Sequence, residues 1–142
     1  MIAFTEIYPQ FDGKIKTVEG LELDNGELVS VNAQWDCGAT YSSISTELAK
    51  QLMLNPIGRG NVDSTNGKML SNIYKLKIVL HKDNVFIPVM ASESTNIHQS
   101  DVDLLIGMDV IYKGDFSIST YGGITCFSFR YPSKGLIDFT KL

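Results

Sequence analysis

The chain has 142 residues, 44% of them hydrophobic, which is enough for one domain with a modest core. Its formal net charge of -4, with no Lys/Arg cluster, argues against a nucleic-acid partner, and no apolar stretch approaches the length of a membrane span. Two cysteines, Cys37 and Cys126, are too few for the disulfide framework of a small secreted protein, so free thiols and a cytoplasmic, reducing setting are expected.

Short Val/Ile/Phe/Tyr runs broken by turn residues predict an all-β domain without long amphipathic helices. Met1–Glu6 has neither a basic n-region nor an apolar core, so a soluble chain starting near Met1 is expected. Ile15–Val18 and Leu21–Leu23 lead into Asp24-Asn25-Gly26, a hairpin signal because Asn and Gly tolerate positive φ. Leu28–Trp35 should be the following strand, which delivers Asp36 to a strand end where a loop can present it. Ser43–Leu52 reads as a short helix, with Ser caps, apolar residues at Ile44, Leu48 and Leu52, and Asn55-Pro56 beyond its end.

Val62–Met69 centres on a second hairpin signal, Asn66-Gly67, and Tyr74–Leu80 alternates in part. His81–Asn84 turns the chain into Val85–Met90, where Pro88 suggests a position that owes the ladder no hydrogen bond. Ser92–Ser100 reads as a polar connector. Asp101–Ile111 holds a buried strand ending at Gly107, then a helical turn through Tyr112. Phe116–Ser119 and Ile124–Phe129 flank Tyr121-Gly122-Gly123 as a last hairpin, with Phe127, Phe129 and Tyr131 on one face. That face is most simply core; a share in a dimer interface, together with Leu136–Phe139, is the second possibility.

The chemistry concentrates at Trp35-Asp36-Cys37-Gly38-Ala39-Thr40. An isolated Asp-x-Gly is most often an ordinary turn in which Asp bonds its own backbone. Here a hydrophobic strand precedes it, and Ala-Thr, a predicted helix, a hairpin and a Leu-Leu-Ile-Gly strand follow in order. Cys37 as a thiol nucleophile would need a base in reach, and neither His81 nor His98 lies in such a context. The His and Cys residues lack metal-ligand spacing, and Asp101-Val102-Asp103 is too sparse for a calcium loop, so neither metal nor cofactor is expected.

Across roughly the middle two thirds of the chain, these ordered motifs resemble the retropepsin-like aspartic proteases. The resemblance implies an all-β, half-pepsin domain: a closed β-barrel-like unit with a flap hairpin and one or two short helices. It would span residues 1–142, with a C-terminal β extension from about residue 115 outside the family pattern. It also implies that Asp36 is the catalytic carboxylate, one of two that share a proton while activating water. No second Asp-x-Gly with matching flanks occurs: Asp24-Asn25-Gly26 is the hairpin signal above and is followed by Glu27-Leu28 instead of Ala-Thr, and Phe11-Asp12-Gly13 lacks both the strand before it and the small residues after it, so a homodimer is implied. Gly38, Ala39 and the Thr65-Asn66-Gly67 hairpin would contact an extended peptide or protein substrate. Cys37, Thr40, Leu105, Ile106 and Gly107 would support the catalytic turn. The alternative is a catalytically inactive dimer of the same fold serving as a peptide-binding or assembly module.

Two positions depart from the family pattern. Cys37 stands where the family carries Thr or Ser, and a thiol is a weaker donor and acceptor, so a weaker link across the dimer axis is expected. Met108 and Thr40 stand where retroviral enzymes pair an Arg with an Asp, so that ion pair is not available.

Overall fold

In the computed structural model, which describes residues 1–64, 67–82, 85–97 and 101–141, ten strands and two short α-helices carry the described chain. The strands are β1 (Ile2–Tyr8), β2 (Ile15–Glu22), β3 (Leu28–Trp35), β4 (Ser43–Ser45), β5 (Gly58–Ser64), β6 (Gly67–Val79), β7 (Phe86–Ser94), β8 (Leu104–Ile106), β9 (Asp115–Tyr121) and β10 (Ile124–Tyr131). The helices are α1 (Thr46–Gln51) and α2 (Met108–Ile111).

Seven strands form one sheet in the order β2-β3-β8-β4-β7-β6-β5, and β6 pairs again with β2 through Gly20↔Val79, Leu21↔Ile78 and Glu22↔Lys77. That second pairing closes the sheet into a barrel, which removes the exposed edges an open sheet would present. β5 and the first half of β6 project from the ring as a hairpin. Strand alternation sends Leu21, Val31, Ala33, Ile44, Ile78, Ile87, Ala91, Leu104 and Ile106, each at most 2% exposed, to the interior.

A second sheet, β1-β10-β9, lies against the barrel and brings Phe4, Phe127 and Phe129 onto Trp35. Phe127 and Phe129 are buried, so the aromatic face of β10 is core, and β10 itself is the central strand between β1 and β9.

Several expectations shift once long-range pairing is seen. Residues 43–45, expected to open a helix, form β4, because Ile44 is drawn fully into the core while its backbone bridges β8 and β7. The helix starts at Thr46, where the Ser45 hydroxyl accepts the Leu48 N–H at 3.1 Å. Ser92–Ser94, expected as connector, lengthen β7 by pairing with β4. β6 is one strand of 13 residues through Gly67–Val79 rather than two separate runs. β1, with Ile2 and Phe4 buried on one face, is a strand added to the predicted set. Pro88 faces Lys77 of β6, and on its other side β4 begins pairing only at Ser92, so the missing N–H leaves no rung open.

Candidate active site

β3 ends where the Asp36 N–H donates to the Ile106 carbonyl at 2.8 Å, continuing the parallel pairing of Gln34 with Leu105 and of Trp35 with Ile106. The chain then turns sharply. The Gly38 N–H donates to Asp36 Oδ1 at 2.9 Å, and the Ala39 N–H donates to the Asp36 carbonyl at 3.2 Å. A Cβ at Gly38 would stand 3.1 Å from that same carboxylate oxygen, so glycine lets the backbone N–H approach it. Asp36 is left half-buried, with Cys37 and Gly38 exposed beside it.

The turn is locked from behind by β8 and α2. The Met108 N–H donates to the Ala39 carbonyl at 2.7 Å, and the Asp109 N–H donates to the Thr40 carbonyl at 3.2 Å. A Cβ at Gly107 would sit 2.8 Å from the Tyr41 carbonyl group and 2.9 Å from the Ala39 oxygen, so any larger residue would force the two segments apart. Asp36, Gly38, Ala39, Thr40, Leu105, Ile106 and Gly107 are therefore brought together.

Asp109 is expected, with Met108, to start the helix behind the turn, but Ser42 and its bonds to Asp109 escaped sequence reasoning. Ser42 is fully buried; its N–H donates to Asp109 Oδ2 at 2.9 Å, its hydroxyl donates to Oδ1 at 2.7 Å, and its oxygen accepts the Gly107 N–H at 3.1 Å. This clamp ties turn to helix in the neighbourhood where Met108 and Thr40 cannot form an ion pair. An acidic residue in the first turn after Gly107 was the available signal.

Gly67 opens β6 at φ +102°, separated from β3 along the ladder by β8, β4 and β7. Thr65 and Asn66, the other two residues expected to contact substrate, lie outside the described residues, as does His98.

A second polar cluster sits on the inward side of β2 and β3. The Trp35 indole N–H donates to Thr17 Oγ1 at 2.8 Å, the Thr17 hydroxyl donates to Glu19 Oε2 at 2.6 Å, and the His81 N–H donates to Glu19 Oε1 at 2.7 Å. Burial of Glu19 raises its pKa above the ordinary 4.5, against the opposing pull of the bonds from Thr17 and His81. The His81 ring stacks on Phe4 at 4.4 Å between centroids, which accounts for that histidine structurally. Among the described residues no group of three His, Cys, Asp or Glu side chains could hold a metal ion, and no helix is long and apolar enough to cross a membrane.

A family model described as aspartyl protease matches residues 18–110. The crystal structure of a retropepsin-like aspartic protease from Rickettsia conorii is similar at a TM-score of 0.59 and 15% identity, over 92% of this chain and 94% of that one. The solution structure of Simian Foamy Virus (mac) protease is similar at 0.44 and 15% identity, over 68% and 92%. The retroviral protease-like domain of Ddi1 from Leishmania major is similar at 0.44 and 19% identity, over 82% and 96%. No curated protein matches the chain. The fold is retropepsin-like and mostly β, as the ordered motifs implied.

Proposed function

The chain belongs to the aspartyl protease family, and from that premise we propose that it is a homodimeric aspartic endopeptidase whose two Asp36 side chains meet across a twofold axis. The observation that carries this reading is the presentation of Asp36. It is the single acid of the Asp-x-Gly turn, half-buried at a strand end, with one oxygen oriented by Gly38 and its backbone braced by Ile106 and the Ser42–Asp109 clamp.

In this mechanism one carboxylate, ionised, takes a proton from a water held between the pair. The other, protonated, donates to the scissile carbonyl oxygen and so stabilises the charge that develops there. Water attacks the carbonyl carbon, the tetrahedral intermediate collapses, and the proton now held passes to the leaving amine. Symmetry makes the two roles interchangeable. The β5–β6 hairpin acts as the flap over an extended peptide, whose backbone N–H and C=O groups pair with strand-like edges in the cleft.

Digestion of a peptide library tests the reading. The parent protein is expected to cut, with specific activity rising with protein concentration and a pH optimum from acidic to near neutral. Asp36→Asn is expected to abolish cleavage while keeping peptide binding. A parent protein that binds peptides and never cuts them would favour the inactive module instead.

A further inference from the structure

The strand registers align a row of side chains across the outside of the barrel. Gln34 of β3 pairs with Leu105 of β8, Leu105 with Ser43 of β4, Ser43 with Ser92 of β7, and Ser92 with Ile73 of β6. Every member is partly exposed, while the sequence neighbours Ala33, Trp35, Leu104, Ile106, Ile44 and Ala91 point inward, each at most 4% exposed. Strand alternation therefore puts the row on one outer face, and Asp36, two residues beyond Gln34, continues that same face. At about 4.8 Å per strand, Gln34 to Ser92 spans roughly 14 Å, the length of about four residues of extended peptide.

The far end of the row lies in a groove of about 600 Å³ between β4, β7 and the β5–β6 hairpin, with Ser43, Ser71, Asn72 and Ser92 among its polar lining and Met69 and Leu70 among its apolar lining. Ser43 Oγ and Ser92 Oγ are 3.2 Å apart and share one hydrogen, which leaves the second hydroxyl hydrogen for a ligand. Of the groove's two carboxylates, Glu93 already accepts from the Tyr74 hydroxyl at 2.6 Å, the Thr46 hydroxyl at 3.3 Å and the Asn72 amide at 3.5 Å. The other carboxylate, Asp63, lines the groove together with one cation, Arg59, so the two carry opposite formal charges. Gln34 makes no side-chain hydrogen bond among the described residues, so its amide is open to a partner.

We infer that this row selects the substrate: an extended peptide carrying uncharged hydrogen-bonding side chains, Asn, Gln, Ser or Thr, where it meets Gln34 and the Ser43–Ser92 pair, with an aliphatic side chain against Leu105 between them. This rests on the protease reading above, because the row is a substrate floor only if the scissile bond lies at Asp36. A site whose polar groups are left unpaired by an apolar side chain discriminates against it, whereas a plain apolar pocket does not.

The experiment is a position-scanning peptide library digested by the parent protein, by Asp36→Asn, by Ser43→Ala/Ser92→Ala and by Gln34→Leu, with circular dichroism melts to establish folding. The expected result is Asp36-dependent cleavage with Asn, Gln, Ser or Thr enriched within four residues of the cut. The double serine variant should shift preference at one position toward Val, Ile and Leu by about tenfold, and Gln34→Leu should do so at a position nearer the cut. Should the double variant fail to fold, Gln34→Leu decides alone. Asp36-dependent cleavage with aliphatic residues preferred throughout, or profiles that these variants leave unmoved, overturns the selectivity and leaves the protease reading standing. Absence of Asp36-dependent cleavage overturns both.

Discussion

Two carboxylates on neighbouring strands, Asp36 at the end of β3 and Glu19 in the middle of β2, have opposite fates. Glu19 points into the barrel, 1% exposed, with both oxygens taken by Thr17 and the His81 backbone. Asp36 faces outward, half-buried, with one oxygen held by Gly38. Strand parity alone separates them: Thr17, Glu19 and Trp35 lie on the inward face, and one further step along the chain from Trp35 reverses direction. The inward acid serves stability, and the outward one is free for chemistry. Trp35 joins the two regions, since its indole bonds Thr17 while its backbone precedes Asp36.

The comparison breaks most violently at that joint. Trp35→Ala removes the ring on which Phe127 and Phe129 pack and the donor to Thr17, and should cost about 3–5 kcal/mol in denaturant unfolding. A loss below about 1 kcal/mol would mean that the aromatic packing on Trp35 is not what holds the second sheet against the barrel. Next in size, Asp109→Ala strands the buried Ser42 N–H and hydroxyl, with an expected cost of about 1–3 kcal/mol. Cleavage by this variant should fall further than unfolding explains at a temperature where it remains folded. Equal activity per folded molecule would release the clamp from any part in holding the turn.

The inward acid carries a pH signature. Because its folded pKa is raised above 4.5, the folded protein holds that proton more tightly than the unfolded chain does. Its contribution is complete below the unfolded value and is lost as pH rises through the folded one. Stability measured by urea midpoint should therefore decline across a window opening near 4.5, and Glu19→Gln should flatten that decline. An identical slope in both proteins would assign the titration elsewhere.

The smallest expected effect sharpens the contrast. Asp36→Asn keeps an oxygen for the Gly38 N–H, so unfolding free energy should move by no more than about 0.5 kcal/mol while cleavage disappears. A large stability change would place Asp36 among the structural acids with Glu19.

Much of this protein is legible from local chemistry. Asn25-Gly26 and Gly122-Gly123 announce their hairpins because only residues tolerant of positive φ close such turns, and Gly26, Gly122 and Gly123 adopt φ of +84°, +60° and +80°. The run from Leu28 to Thr40 identifies the strand and the acidic turn, since apolar spacing and Asp-x-Gly are both local properties. What local residues do not encode is partnership across the chain. Ile44 is a plausible helix residue until the barrel core claims it, and Ser42 is an unremarkable polar residue until Asp109, 67 positions later, meets both its hydrogens. The row from Gln34 to Ser92 likewise exists only through register, because β8 and β7 come to flank β3 and β4, about 50 or more positions earlier in the chain, solely by backbone pairing. Local preference is set by single residues and their near neighbours, whereas burial and pairing are settled by the whole barrel closing at once.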